Sequence, residues 1–154
     1  MSSILHRLAS APRALALLAA LALAGPAAAE QLERFGDLEV HYMVFNSTTL
    51  DPEIAERYAI VRDENLAVVN LAGRRVAADG STTAVPLTVE AEVRNLVDQV
   101  STLPFREVEE PGAIYYLATV PFTDRETLRF RLEVTDRETG RTHAMRFQKE
   151  LWAQ

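Results

Sequence analysis

The chain has 154 residues, 48% hydrophobic side chains, no cysteine and a formal net charge of −6 at pH 7. The absence of cysteine excludes disulfide bonds, thiol catalysis and thiolate metal sites, so the fold has to rest on its apolar core. The acidic balance argues against nucleic acid as a partner, because phosphate binding needs clustered lysine and arginine side chains.

The first 29 residues have the layout of a secretory signal peptide. Arg7 and Arg13 precede an apolar run from Ala14 to Ala24, and the small residues Ala27 to Ala29 end the segment. The run is about half of the roughly 20 apolar residues that span a bilayer. We therefore predict cleavage after Ala29 and a soluble protein in the periplasm of a Gram-negative bacterium, with no membrane span in the mature chain.

The predicted mature chain runs from Glu30 to Gln154, which is the usual size of a single domain. It keeps 14 basic side chains against 22 acidic ones, a net charge of −8. Arg74-Arg75 is the only adjacent basic pair, and we interpret it as a solvated strand end. The pattern shows no linker, internal repeat or low-complexity tract, and it predicts one domain over residues 30–154.

The first predicted element is a strand that ends in a polar turn. Apolar and polar residues alternate from Leu38 to Val44. The triplet Asn46 to Thr48 matches a glycosylation acceptor, but these side chains also bond nearby backbone groups, and we interpret the triplet as the turn. Ser47 has no Gly-x-Ser-x-Gly surroundings and no base beside it, which disfavours serine hydrolysis.

A short helix is predicted from about Pro52 to Tyr58. Asp51 can cap the free backbone N–H groups, and Pro52 and Glu53 suit the first helical turn. Ile54 and Tyr58 lie one turn apart and predict the inner face of the helix.

Six further segments have the alternation or the apolar runs of strands. Asp79-Gly80 is a strong hairpin signal between the first two of them. Pro86 cannot donate to a strand ladder, so its part of the returning strand should lie on a sheet edge. The segments are Asn65–Arg75, Thr83–Asn95, Phe105–Val108, Ala113–Val120, Thr127–Thr135 and Thr142–Leu151.

About seven strands with regularly spaced turns predict an all-β fold. We expect an immunoglobulin-like, two-sheet antiparallel sandwich with one short helix near the N-terminus. A small closed barrel would need similar strands, and the pattern does not separate the two architectures.

Two His-x-Met pairs are the candidate metal ligands. His41 and Met43, and likewise His143 and Met145, are two residues apart, so each pair shares one face of a strand. If the first and last strands were neighbours, two imidazoles and two thioethers would meet, and such soft ligands suit Cu(I). Methionine also fills gaps in β cores without binding a ligand.

A second polar cluster consists of Glu107, Glu109 and Glu110. Glu107 and Glu109 share a strand face at a separation that a glycosidase carboxylate pair could have. Sugar-binding clefts are lined by aromatic side chains, however, and Trp152 is the one tryptophan of the chain. We therefore interpret the cluster as a solvated strand edge before the turn at Pro111-Gly112.

Five ordered pieces of sequence carry a family resemblance. They are FGDLEVHYMVFNSTTL from Phe35, NLAVVNL from Asn65, VRNLVDQ from Val93, LPFREVEEPGAIYYLATVPF from Leu103 and LRFRLEV from Leu128. Together they resemble DUF4426, a family of small exported proteobacterial proteins defined by a domain of unknown function. The resemblance covers the mature chain and implies a small periplasmic β domain, with no activity, cofactor or catalytic residue to carry over.

The sequence supports three functional hypotheses. The first is a non-catalytic module without a cofactor, which presents an edge strand or a loop face to another envelope protein. The second is a copper-binding protein that uses His41, Met43, His143 and Met145. The third is an enzyme of unknown reaction, for which the sequence offers no defensible set of acid, base and nucleophile.

Overall fold

Ten strands and two short helical segments make up the structure, a computed structural model that describes residues 30–154. The predicted signal peptide lies outside the described residues. The helical segments are a 3-10 turn, Ser47–Thr49, and helix α1, Pro52–Arg57. The strands are β1 Gln31–Phe35, β2 Leu38–Asn46, β3 Leu66–Val76, β4 Thr82–Val85, β5 Leu87–Arg94, β6 Val100–Thr102, β7 Arg106–Glu110, β8 Ala113–Pro121, β9 Glu126–Asp136 and β10 Thr142–Leu151.

The strands form two antiparallel sheets. Sheet A has the order β1-β2-β3-β8-β7, with β4 pairing the far part of β3, and sheet B has the order β10-β9-β5-β6. The sheets pack face to face around the main core, to which β9 contributes four buried side chains in strict alternation, Leu128, Phe130, Leu132 and Val134. The two-sheet sandwich prediction is confirmed, with ten strands in place of about seven.

Sheet A is buried on both of its faces. Its inner face contributes Leu38 and Val40 to the main core. Its outer face packs Met43 and Phe45 into a second apolar cluster, together with Ala55 of helix α1. The helix that the sequence predicts therefore acts as the cover of this outer face, whereas no helix among residues 30–154 covers sheet B.

The helix begins where the sequence predicts it. The Asp51 carboxylate accepts a hydrogen bond of 2.9 Å from the backbone N–H of Glu53, and Pro52 occupies the first turn. Tyr58, which is buried, follows the last helical residue and packs in the outer cluster. The predicted inner face is thus confirmed, because Ile54 packs against the same cluster.

Pro86 divides the strand that the sequence predicts over Thr83–Asn95. The part before the proline, β4, pairs with β3 and confirms the hairpin at Asp79-Gly80. The part after it, β5, pairs with β9 and β6 in sheet B. The expectation of one continuous returning strand is wrong, because a residue without a backbone N–H interrupts the ladder and the chain passes there from one sheet to the other.

The sequence patterns also miss two short strands. β1 has five residues, none of them fully buried, and β6 has three exposed residues. Neither strand has a buried face, so neither produces an alternation of apolar and polar residues.

An ion-pair network joins the two sheets at one end of the sandwich. The guanidinium of Arg75, on β3, donates to Asp136 at 2.6 Å, to Asp37 at 2.9 Å and to Glu138 at 3.1 Å. The side chain of Asp136, on β9, is 2% exposed. Burial alone would raise the pKa of Asp136, but hydrogen bonds from Arg75 and from the backbone N–H groups of Glu138 and Thr139 lower it below its usual value. Arg75 is therefore the half-buried partner of a buried carboxylate and not the solvated strand end that the sequence suggests.

Candidate functional site

The first His-x-Met pair lies on the outer face of sheet A. Met43 is buried in the cluster under helix α1. His41 is half-buried, and its ring nitrogens lie 3.0 Å from a carboxylate oxygen of Glu30 and 3.2 Å from one of Glu39. Both ring nitrogens of His41 therefore already have carboxylate partners.

The second pair faces the inside of the sandwich. Met145 is fully buried in the main core, and the ring of His143 stacks on Phe35 with 4.4 Å between the ring centroids. Each pair shares a strand face as predicted, but sheet A separates one pair from the other, and β2 and β10 belong to different sheets. The structure does not bring His41 and Met43 together with His143 and Met145.

Residues 30–154 contain no group of three or more His, Asp or Glu side chains arranged to hold a metal ion. Copper binding through the four predicted ligands consequently lacks the shared strand face on which it was based. It stays a prediction that a titration can test.

Two glutamates of the acidic cluster at β7 accept hydrogen bonds from tyrosine hydroxyls. Glu107 accepts a hydrogen bond of 2.9 Å from the hydroxyl of Tyr116 and pairs with Arg137. Glu110 accepts one of 2.7 Å from the hydroxyl of Tyr58, and burial together with this bond raises the pKa of Tyr58 to about 12. Glu107 and Glu110 thus bond to different tyrosines. Glu107 and Glu109, the pair that the sequence places on one strand face, are both exposed on the edge strand β7, as the interpretation of a solvated edge expects.

The polar triplet after β2 forms the turn that the sequence predicts, with longer-range bonds than expected. The side-chain amide of Asn46 donates to the backbone carbonyl of Trp152 at 2.6 Å. The Ser47 hydroxyl donates to the carbonyl of Asp63 at 3.0 Å and accepts from its N–H at 2.9 Å. Asn46 and Ser47 are both buried and bonded, so neither is displayed for chemistry.

Strand β10 is an unusually open sheet edge. The other strands with a free edge, β1, β4, β6 and β7, have five, four, three and five residues, whereas β10 has ten. Its pairing with β9 is continuous from Thr142 to Leu151, and no strand within residues 30–154 lies on its other side. Proteins protect edges by keeping them short, charged, bulged or interrupted by proline. β10 has no proline and no bulge; its charged side chains are Arg146 and Glu150 at outward-facing positions and Lys149 at an inward-facing position near the strand end.

The uncovered outer face of sheet B carries four arginines, Arg94, Arg129, Arg131 and Arg146, which we call the arginine face. The same strands also place four exposed glutamates on this side of the sheet, Glu90, Glu92, Glu133 and Glu150. In the strand register Arg146 lies opposite Arg131, and Arg94 lies opposite Arg129. Cβ atoms at directly opposed positions are about 4.5 to 5.5 Å apart, and like charges at such positions repel each other. These two arginine pairs are therefore unfavourable, whereas Glu92, opposite Arg131 on β5, offsets part of the repulsion.

Few of these arginines form a direct ion pair, although Glu92 lies opposite Arg131 in the strand register. Arg129, Arg131 and Arg146 make no hydrogen bond or ion pair with any of residues 30–154, and Arg94 reaches Asp98 at only 3.4 Å. The four side chains line a shallow depression of about 540 Å³ in which Glu92 is the one carboxylate. The depression thus has a net positive charge on an otherwise acidic protein.

The sequence reasoning missed the arginine face. Its local signal is the alternation in Arg129-Phe130-Arg131, which places two arginines on the polar side of one strand. Arg94 and Arg146 join them only through the pairing of β5, β9 and β10, which no local pattern reveals.

Residues 30–154 contain no helix that is long and apolar enough to cross a membrane. The protein is a small all-β sandwich. A helix covers one of its sheets, and the other sheet is open on its outer face and along the β10 edge. The chain belongs to the DUF4426 family, a domain of unknown function whose sequence profile matches residues 32–154. The resemblance seen in the sequence is thereby confirmed.

Solved structures share the architecture. A DUF4426 family protein, PA0388 of Pseudomonas aeruginosa PAO1, has 37% sequence identity and a TM-score of 0.70, and the match covers 81% of this chain and 96% of that one. A copper-bound variant of FetP from uropathogenic Escherichia coli strain F11 has 8% identity and a TM-score of 0.59, with 82% and 92% covered. FetP of the same strain, as isolated after expression in the periplasm of E. coli, has 13% identity and a TM-score of 0.50, with 82% and 96% covered. The likeness to FetP shows the fold alone. No curated protein sequence matches the chain.

Proposed function

We propose that the protein is a non-catalytic binding module of the periplasm, which pairs the free edge of β10 with an extended segment of another envelope protein. The observation that carries this proposal is the difference between the edge strands: four are short, and β10 is ten residues long with unbroken pairing to β9. An unprotected strand edge is a template for strand addition, because its backbone N–H and C=O groups are available to a new strand.

The side chains along β10 indicate the kind of segment that fits. His143 and Phe147 are half-buried at inward-facing positions, and Phe147 stacks on Tyr42 and Phe130 with centroid distances of 4.4 and 4.9 Å. An added strand would place alternate apolar residues against these rings and extend the core. Its remaining residues would face outwards beside Arg146, where a carboxylate would be favoured. The partner segment should therefore alternate apolar and acidic residues.

The export prediction and the contacts of the polar residues support the same function. A signal peptide over residues 1–29 would deliver the protein to the compartment of envelope proteins. Most side chains considered for chemistry are engaged in ring stacking or in hydrogen bonds: His41, Ser47, Glu107, Glu110 and His143. A binding module requires no catalytic constellation, and a sandwich fold by itself assigns no reaction.

A charge at an inward-facing edge position tests the proposal. His143→Lys places an ammonium group where an incoming strand would pack, which disfavours strand addition. Val108→Lys is the matched control, because Val108 is also half-buried on an edge strand, β7. Affinity purification from periplasmic extract should recover the same partner with the wild type and with Val108→Lys, but not with His143→Lys. Circular dichroism checks that each variant is folded.

Hydrogen exchange supplies a readout that does not depend on the variants. Once a partner is recovered, its binding to the wild-type protein should slow amide exchange in β10 and leave β7 unchanged. Recovery of the partner by folded His143→Lys, slowed exchange in β7 but not in β10, or repeated failure to recover any specific partner would each contradict strand addition at β10.

The copper-binding alternative has weaker support. A copper-bound FetP variant shares the fold at 8% identity, but the His-x-Met residues of this chain lie on opposite sides of sheet A. The binding module is the function that the geometry supports best.

A further inference from the structure

We propose that the arginine face and the tip of the β5–β6 hairpin form a second docking surface, adjacent to the β10 edge, which binds a membrane surface rich in anionic phospholipids. The tip comprises residues 95–99. The arguments are the excess of arginine over carboxylate in the depression, the apolar exposure of the tip and the position of the single tryptophan.

The tip holds aliphatic side chains out of the protein. Leu96 is 60% exposed, Val97 is 75% exposed and neighbouring Val100 is 46% exposed. The Asn95 side chain fixes this loop, because its carboxamide oxygen accepts from the N–H groups of Val97 at 3.1 Å and Gln99 at 3.0 Å. The loop is thus preorganised to present Leu96 and Val97 to an apolar environment.

The arginine face begins where the tip ends. Arg94 is the last residue of β5 before the loop, and Arg129 lies opposite it on β9. Arg131 and Arg146 occupy outward positions two residues further along their strands, which corresponds to about 7 Å. A bilayer that received Leu96 and the neighbouring apolar residues would therefore have its phosphate groups near the arginines. Guanidinium groups bind phosphate oxygens in bidentate fashion.

Trp152 lies at the same end of sheet B. It follows Leu151, which pairs with Glu126 at the start of β9, and it is 49% exposed. Tryptophan is enriched at the level of lipid headgroups because its ring is apolar and its N–H is polar. This end of the sheet therefore combines aliphatic, aromatic and basic side chains as interfacial protein surfaces do, next to the exposed carboxylates of Asp98 and Asp124.

A lipid surface fits these features better than an acidic protein does. The apolar side chains project from a hairpin tip, and the arginines lie in a shallow and open depression. A fluid anionic surface can take up a projecting tip without a complementary pocket, whereas a folded partner would need one. The remaining surface of the acidic protein would be repelled by the same lipids, and this repulsion would orient the molecule.

Vesicle binding of the full mature protein tests the inference. The probes are vesicles of phosphatidylcholine alone and of phosphatidylglycerol with phosphatidylcholine in equal parts. We expect binding to the anionic vesicles only, weaker binding as the salt concentration rises, and a blue shift of the Trp152 fluorescence on binding. Each basic residue near an anionic membrane strengthens binding by roughly fivefold, so Arg129→Gln with Arg131→Gln should weaken it by about 30-fold.

Matched variants separate a defined surface from general charge. Arg57→Gln with Arg141→Gln removes the same charge from exposed positions on helix α1 and in the β9–β10 turn, and it should leave vesicle binding unchanged. Leu96→Ser with Val97→Ser should weaken binding and abolish the blue shift. His143→Lys, which tests the β10 edge, should bind vesicles like the wild type.

Several outcomes would overturn the inference. They are equal binding to neutral vesicles, no binding to anionic vesicles, and equal weakening by the control pair of arginine variants. Tight binding to poly-glutamate that tolerates the Leu96 and Val97 changes would assign the arginine face to an acidic protein instead.

Discussion

Replacement of Arg75 by methionine tests the buried network between the sheets. Arg75→Met keeps most of the side-chain volume and removes the cation, so that Asp136, 2% exposed, becomes a buried carboxylate without its main partner. Removing one partner of a buried ion pair costs about 3 to 5 kcal/mol. The backbone N–H groups of Glu138 and Thr139 still donate to Asp136. We therefore expect the free energy of unfolding to fall by about 3 kcal/mol, the lower end of this range. That is a large part of the free energy of unfolding of a typical domain, roughly 5 to 15 kcal/mol.

The pH dependence of this loss identifies its cause. The pKa of Asp136 is lowered in the folded protein, so its contribution to stability is present above the unfolded pKa of about 3.9. That contribution is lost as the pH falls through the folded pKa. In the variant the buried carboxylate has no cation, its pKa rises, and protonation relieves the penalty. The difference between the two proteins should therefore shrink as the pH is lowered from about 7 to about 3.

Urea unfolding at a series of pH values measures both effects. Arg141→Met is the control, because Arg141 is exposed in the β9–β10 turn and such surface changes usually stay within about 0.5 kcal/mol. A loss below about 1 kcal/mol, or a loss that is the same at every pH, would refute the assignment of Arg75 as a partner of a buried charge.

Three other predictions concern packing, a buried hydrogen bond and metal binding. Gly73→Ala should destabilise by about 1 to 3 kcal/mol, because the new Cβ would lie 3.0 Å from Cγ of Leu87; thermal unfolding checks this, and an unchanged midpoint would contradict it. Tyr116→Phe should cost about 1 to 3 kcal/mol, because the hydroxyl accepts the buried N–H of Leu87 at 2.7 Å; chemical unfolding measures it, and a neutral result would mean that another acceptor replaces the hydroxyl. His143→Phe with Met145→Leu should leave any Cu(I) affinity unchanged in a chelator competition under reducing conditions, whereas a clear loss would restore the predicted copper site.

The elements that the sequence predicts well are those governed by nearby residues. The bounds of β10 are correct because Thr142 to Leu151 alternates between core and solvent without interruption. The helix start at Asp51 and the turn at Asp79-Gly80 depend on local capping and turn chemistry. Such signals extend over only a few residues and do not depend on the tertiary fold.

The features that the sequence does not predict depend on which elements meet. Met43 occupies a polar position of the alternation in β2, yet it is buried, because helix α1 packs over that face. The strand period places His41 with Met43 and His143 with Met145, but it does not say that the two faces point to opposite sides of sheet A. The arginine face likewise depends on the register of three strands. Arg129 and Arg131 share β9, but Arg94 and Arg146 lie on β5 and β10.

The hydrogen bonds around Trp152 oppose the exchange of strand β10 between two copies of the protein. A C-terminal strand held only by a hairpin can leave its own sheet and complete that of a second copy, which is a low-cost route to a swapped dimer. Here Asn46 holds the carbonyl of Trp152 at 2.6 Å, and Asp124 accepts the N–H of Ala153 at 3.0 Å. β10 is thus held at both ends, by the turn before it and by the hydrogen bonds of Trp152 and Ala153 after it. β10 can therefore accept a strand of a partner on its free edge, while these hydrogen bonds keep β10 itself in sheet B.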